Sequence, residues 1–540
     1  MKKLLLICMA LVLACGCALA DTSTVVTTGM RAIRRASVHD PSIVQDPESG
    51  LYYVFGSHLA AASSEDLVNW KQLSRDYANT KSNRIYGNVK ENLAESFLWA
   101  GYDDGDCKGG YAVWAPDVHW DAAYQWEDGT TGAYLLYYSA SSTWRRSCIG
   151  LAVSRDITGP YTYVATLLYS GITDTGRTDG DSTRDTGWYN DYLNFNSLLA
   201  LGSKNGGIDE INSKWFKTAG NEYNTSYAPN CIDPCAIDAN DGTLWLVYGS
   251  WSGGLFMLQV DPATGLVLYP GTDGTDEVSG NWIDRYYGIH IAGGNHQSGE
   301  GPYILWDEEA GYYFLYETYG SLTANGGYNM RLFRSENITG PYVDAAGRYA
   351  SKNGISNERY GIKLMGNWQF TGQRGYRAAG HNSALIDSVT GSRYLICHQR
   401  FDEGTEGHEV RVRRQLLNED SWPVPTVYEN RNEPLAHYDP ERVCRTYELI
   451  NHGTKTSGDM LPTEQVTLLP DGTVTGGLTG TWQMKDSGKG YDWLTVTTSD
   501  ACYQGFLLEQ YDEQLRTVMT FSCIGDNNCC IWGSEVPEGE

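Results

Sequence analysis

The chain holds no C-x-x-C pair, no long apolar run beyond its first twenty residues, and fewer basic than acidic side chains, 40 Lys and Arg against 66 Asp and Glu. The missing C-x-x-C pair argues against a structural zinc site. The missing apolar run argues against a membrane span. The shortage of positive charge, a formal net charge of -26, argues against nucleic acid or an anionic membrane surface as partner. A neutral substrate is the simpler expectation.

The first twenty residues form a targeting segment. Lys2 and Lys3 make the charged start, Leu4 to Leu13 the apolar run, and Ala18, Leu19 and Ala20 a small-residue cleavage site. The apolar run is too short to span a bilayer. Cys15 and Cys17 allow a lipoprotein anchor, but their flanks fit it poorly, so cleavage after Ala20 is expected. Export of the mature chain permits disulfides among its remaining cysteines. Their pairing is left open, including whether Cys231 and Cys235 bridge or stay thiols.

What the chain has in quantity is Tyr (38) and Trp (17), the residues of β-sheet cores. They cluster in a repeat. The stretch HDPSIVQDPESGLYYVFGS sets Asp40 before an apolar run, then a D-x-x-x-G turn from Asp46 to Gly50, then an aromatic strand. The same order begins at Asp117, Asp233, Glu300 and His381, with turns at 128–132, 238–242, 307–311 and 387–391. Asp opens such turns by accepting backbone N–H groups, and Gly closes them at positive φ. SRDITGPY at Ser154 and SENITGPY at Ser335 read as one outer turn in two copies.

Five β units, none able to bury its own faces, predict an all-β five-bladed propeller over residues 21–430. The units start 67 to 116 residues apart, so long loops are inserted. The largest runs from Gly171 to Lys217, with another from Tyr349 to Gly375. From about residue 445 to 540 short strands with a hairpin signal at Asp471 and Gly472 predict a separate small β-barrel or sandwich. Its Trp482, Trp493 and Trp532 read as core.

In a propeller one strand of each blade lines the axis. Asp40, Asp117, Asp233, Glu300 and His381 then converge in one cleft. A single Asp before Pro is a turn residue. Four acids in register are costly, because like charges repel, and such a cluster is kept for chemistry or for a cation. Two separated carboxyl groups are what glycoside hydrolysis needs, one protonated to donate and one ionised to act on water. A third acid nearby tunes the donor.

With HDPSIV at Asp40, CIDPC at Asp233 and GEGPYI at Glu300, in this order and in repeat register, the chain resembles glycoside hydrolase family 43 from about Ser37 to Pro425. The resemblance implies Asp40 as general base, Asp233 as pKa modulator and Glu300 as general acid, in an inverting reaction. WAPDV, also typical of the family, implies that Trp114 and Asp117 line the cleft, with Asp117 as polar support. Within the family the chain is most similar to the large two-domain endo-α-1,5-L-arabinanases. GHNS, Gly380 to Ser383, resembles their segment whose His reaches a calcium ion on the axis, which implies His381 as a metal ligand. YGSWSGG resembles their substrate-lining loop, which implies Ser250, Trp251 and Ser252 as substrate contacts. Asn230 and Ile232 complete the motif before Asp233, and Gly150 is expected to admit backbone to the sugar. A lone His is more often a core residue than a ligand, and calcium prefers oxygen, so the metal rests on the resemblance alone. His39, His290, His296, His398 and His408 are expected to be structural or cleft-lining.

The resulting expectation is an exported, monomeric hydrolase acting internally on plant cell-wall arabinan or its oligosaccharides. The alternatives are an exo-acting arabinofuranosidase or xylosidase on the same scaffold, and a silent sugar-binding propeller, which would lack one of the three acids.

Overall fold

The strand-forming runs of the repeat become antiparallel sheets, with the motif residue just before the first strand (Asp40, Asp233), at its start (Glu300) or within it (Asp117, His381). The computed structural model describes residues 33–75, 83–102, 111–141, 146–177, 184–352 and 356–537. The expected leader, with Cys15 and Cys17, lies outside the described residues. Among the described residues no helix is long and apolar enough to cross a membrane.

Four sheets are four-stranded and are laid down in simple sequence order. Their first strands are Ser42–Gln45, Val113–Gln125, Glu300–Asp307 and Tyr376–Ile386. The third repeat departs from this plan. It begins with Cys235–Asp238, Leu244–Tyr248 and Leu255–Asp261, but then continues through Gly288–Ala292, Trp282–Asp284 and Gly274–Thr275 into a seven-stranded sheet. The expectation of five like blades is corrected accordingly: the arrangement is propeller-like with four small sheets, and the third repeat is built into a wider one. The insertion between Asp261 and Gly288 supplies the extra strands.

The turns show why the repeat is readable. In three of them the Gly N–H donates to the Asp carbonyl, Gly50 to Asp46 at 2.8 Å, Gly311 to Asp307 at 2.8 Å and Gly391 to Asp387 at 2.9 Å. The third repeat differs again. There Asp241, not Asp238, accepts the turn N–H, from Thr243 at 3.0 Å. Asp238 ends its strand and lies 3.3 Å from His119. The two TGPY segments behave alike: Gly159 N–H donates to Asp156 and Gly340 N–H to Asn337.

Contacts between the sheets' inner strands run in a closed ring. Ser42 donates to Asp117 Oδ1, and Ala236 N–H donates to Asp117 Oδ2 at 2.7 Å. Gly301 N–H donates to Asp233 Oδ2 at 3.2 Å. His381 N–H donates to Thr318 Oγ1 at 2.8 Å, and Ser383 Oγ donates to the Pro41 carbonyl at 2.6 Å. The first, second, third, fourth and fifth repeats are thus each tied to the next, and the last to the first.

Eight further strands from Thr446–Asn451 to Cys530–Glu535 close a barrel, because the first strand pairs with both the second and the last. Trp532 is fully buried and Trp482 nearly so, while Trp493 Nε1 donates to the Leu417 carbonyl at 2.9 Å. These tryptophans are core and bracing. Arg331 Nη2 donates to the Thr454 carbonyl at 2.6 Å, and Arg34–Glu540 forms one compact unit. The nine described cysteines are free thiols. Cys231 and Cys235 are both buried, and burial pushes both thiols well above their usual range.

Candidate active site

Asp40, Asp233 and His381 all carry left-handed backbone, with φ of 53°, 58° and 43°. Side-chain residues rarely adopt this conformation, and where they do, the surroundings must hold it. At each of the three residues a hydrogen-bond acceptor from a neighbouring repeat does so. Asp40 N–H donates to His398 Nδ1 at 3.2 Å, and Asp233 N–H donates to Ser139 Oγ at 2.9 Å.

Asp40 is nearly buried and is surrounded by nitrogen. His39 Nδ1 lies 2.8 Å from Oδ2, His381 Nδ1 3.2 Å from Oδ1 and His398 Nδ1 3.6 Å from Oδ1. Ser57 Oγ donates to Oδ2 at 2.5 Å. Burial works to raise its pKa, but His381 first, and then the charge and hydrogen bond of His39, outweigh it and hold the carboxyl well below its usual range. Asp40 is therefore a carboxylate, the form a base requires.

Asp233 is in the opposite state. Burial, then the negative charges of Glu300 and Asp40, push its pKa well above the usual range, against one hydrogen bond from Gly301. It favours the protonated form.

Glu300 opens its strand beside a bulge and is partly exposed. Three donors grip it. Tyr328 OH donates to Oε1 at 2.6 Å, Trp251 Nε1 to Oε2 at 2.9 Å, and Ser250 Oγ to Oε2 at 3.2 Å. Burial and the carboxylates around it keep the Tyr328 phenol protonated.

Other expected residues fall into two groups. Ser250 and Trp251 meet Glu300 directly, as above, and Ser252 is buried behind them, its carbonyl accepting His296 N–H at 2.8 Å. Trp114 is part-exposed at the start of its strand. Asp117 is buried support, bridging two neighbouring sheets, and burial raises its pKa against the hydrogen bond from Ser42. Asn230 accepts from Ser170 Oγ at 3.2 Å, and the Ile232 carbonyl accepts Gly249 N–H at 2.9 Å, so both brace the segment that carries Asp233. Gly150 packs against Tyr138. A Cβ there would lie 2.2 Å from the Tyr138 ring, so the missing side chain makes room for that ring.

His381 and Asp40 line a small axial cavity with Asp117, Asp233 and Asn382. Its room, about 10 Å³, admits about one water-sized guest. Both amide atoms of Asn382 are buried there without a hydrogen-bond partner. Carboxylates, an unpaired amide and one imidazole are a donor set that fits a small hard cation.

Sequence reasoning missed Tyr328 and Ser57, whose positions carry no motif, and left His39 and His398 without a role. His39 stacks on His398 with ring centroids 3.9 Å apart. His398 Nδ1 accepts a backbone N–H, so its lone ring proton is on Nε2. Burial holds its pKa well below the usual range, leaving it neutral.

Residues 208–423 match the family model for glycosyl hydrolases family 43, and residues 425–533 match a C-terminal lipocalin-like domain associated with it. The chain is 36% identical to an extracellular endo-α-(1→5)-L-arabinanase 2 of Bacillus subtilis, over 93% of each chain. It is 34% identical to the extracellular endo-α-(1→5)-L-arabinanase of Thermotoga petrophila, over 94% of this chain and 95% of that one. Among solved structures, the family 43 YxiA protein of Bacillus licheniformis matches with a TM-score of 0.74 at 35% identity, over 94% of this chain and all of that one. Relatives at 34–36% identity, matched along nearly the whole length of the chain, together with the family model place the chain in glycoside hydrolase family 43.

Proposed function

We propose that the chain is an exported endo-acting arabinanase that cleaves α-1,5-linked L-arabinan by single displacement with inversion. The observation that carries this reading is the opposite electrostatic state of Asp40 and Asp233, beside a Glu300 held by three donors. Asp40 is held ionised by its imidazole neighbours, and Asp233 is held protonated by burial and by the charges beside it. Glu300 is partly exposed within a cage of three donors.

In this mechanism Asp40 accepts a proton from water as that water attacks the anomeric carbon. Glu300 delivers a proton to the departing oxygen. An inverting pair stands roughly 6.5–9.5 Å apart to leave room for the water. Burial and the negative charge of Glu300 keep Asp233 in its neutral form beside the acid. Asp233 thus keeps a proton available to the acid. Tyr328, Trp251 and Ser250 fix the Glu300 carboxyl in rotation, which spares the transition state that ordering cost.

The seven-stranded sheet counts as the fifth blade, widened at its outer edge. The catalytic part then spans residues 21–430 behind a leader of 20 residues, and the small β domain spans 445–540. Export is supported by the leader and by relatives named as extracellular. Internal cleavage of arabinan is supported by the same names. A calcium ion is proposed on the axis, held by His381 with oxygen from the axial cavity. When bound, it supplies positive charge that favours the ionised carboxylates around it.

The test is the anomeric form of the first product. Proton NMR of a digest of linear arabinan should show the new reducing end inverted before mutarotation, with no product from xylan. A retained anomer, or release from xylan, overturns the reading.

A further inference from the structure

The proposed base does not stand alone against its imidazole neighbours; one of them is itself held by a buried guanidinium. Arg400 lies two residues after His398 on the strand Arg393–Phe401, so both side chains project from the same face. It is 4% exposed. Its Nη2 is 3.2 Å from His39 Nε2 and hydrogen-bonded to it. A guanidinium has donors only. His39 Nε2 must therefore be the acceptor, and the ring's proton must sit on Nδ1. That nitrogen is the one 2.8 Å from Asp40 Oδ2.

We infer that Arg400 is a positioning residue for the reaction, fixing His39 in the tautomer whose Nδ1–H faces the Asp40 carboxylate. The inference rests on the reading of Asp40 as base. The opposite tautomer would set two lone pairs against each other at that distance and turn the carboxylate away. The Nδ1–H is close to Oδ2 but not aligned for a straight bond. Such bonds in unliganded sites often tighten only when substrate is bound.

The remaining nitrogens of Arg400 are occupied by two loops. Nε donates to the Leu322 carbonyl at 2.8 Å, and Nη1 donates to the Glu406 carbonyl with the Glu406 carboxylate 3.4 Å away. Glu406 also accepts Ala324 N–H at 3.0 Å. The fork is planar and rigid, so these anchors aim Nη2 at His39. The ring itself is clamped between His398, stacked at 3.9 Å, and His408, edge-on at 5.1 Å. Stacking fixes where the ring lies, and Arg400 fixes which nitrogen carries the proton. The same contact argues against a metal shared by His39, Asp40 and His398, since His39 Nδ1 then has no free lone pair.

The experiment has two readouts. In the wild-type protein with selectively ¹⁵N-labelled histidine, the His39 signals, assigned by their loss in His39→Asn, should report protonation on Nδ1. In Arg400→Met that preference should be lost. On linear arabinan, kcat should fall about 10- to 100-fold, the range for residues that orient a catalytic group, with KM within about 2-fold. Arg400→Lys keeps one donor and should recover part of kcat. Protonation of wild-type His39 on Nε2 overturns the inference whether or not any variant folds. So does a folded Arg400→Met protein with kcat within about 2-fold of wild type. Should the wild-type chain fail to cut arabinan, the functional reading fails while the tautomer measurement still decides the contact.

Discussion

Trp251 Nε1 donates to Glu300 Oε2 at 2.9 Å from a backbone in left-handed conformation, φ 49°. The same residue's backbone N–H donates to the Gly299 carbonyl at 2.7 Å. A strained residue thus grips the proposed acid by its side chain and the preceding segment by its backbone. Strain of this kind costs about 1–3 kcal/mol and persists only where the surroundings impose it. The consequence is that Trp251 orients the acid. Trp251→Phe should keep the fold and lower kcat on arabinan by about 10-fold, equal to about 1.4 kcal/mol of barrier. An unchanged kcat would show that the indole contact does not matter to the acid.

Tyr328 makes the companion contact on Oε1 at 2.6 Å. Tyr328→Phe removes one hydrogen bond to a carboxyl without removing the ring. A hydrogen bond to a charged group contributes about 1.5–3 kcal/mol, so kcat/KM should fall by roughly 10- to 100-fold, as steady-state rates on arabino-oligosaccharides would show.

Asp233 predicts a direction in pH. Its raised pKa means that the folded state holds a proton which the unfolded chain has released. Stability therefore falls as pH rises from the ordinary carboxylate range towards the raised value. Asp233→Asn cannot titrate and should flatten this part of the melting-temperature profile. Asp40 acts in the other sense: its depressed pKa keeps the base ionised well into acid, so the acidic limb should lie low. A melting-temperature profile with the same pH slope in Asp233→Asn as in the wild type would contradict the raised pKa of Asp233.

How much of this was legible in the sequence depended on the physics of each feature. The turns were legible because Asp46, Asp307 and Asp387 and their glycines act locally, within five residues. The inner-strand acids were legible because they sit in register with those turns. The third repeat misled at Asp238, because two candidate Asp residues lie three apart and only the folded strand end chooses Asp241. Its widening to seven strands depends on pairing between residues 255–261 and 288–292, a distant match that no local signal announces. Tyr328 and Ser57 were invisible because each meets its acid only through strand pairing within its own sheet, and Arg400 because it reaches His39 from a neighbouring sheet.

Gly301 has φ 59°, and a Cβ there would lie 2.9 Å from the His381 ring. The glycine lets the acid's strand pass the axial imidazole. Gly301→Ala should lower both melting temperature and kcat, since left-handed backbone and the ring must both yield. Retention of full activity would mean that the His381 position has slack.

If the axial donor set holds calcium, prolonged chelation should lower the melting temperature and calcium should restore it, because a ligand of the folded state stabilises it. His381→Ala should abolish the difference between chelated and calcium-loaded protein. Equal melting curves for the wild-type protein with and without chelator would remove the ion from the account.

The central claim is internal cleavage of arabinan with Glu300 as acid, and the time course of product sizes tests it most directly. Linear arabinan digested by the mature protein should give a ladder of arabino-oligosaccharides from the earliest times. Glu300→Gln should reduce the rate by about 10²-fold or more while still binding the polymer. Monosaccharide alone from the start, or a Glu300→Gln protein that cleaves at the wild-type rate, would contradict it.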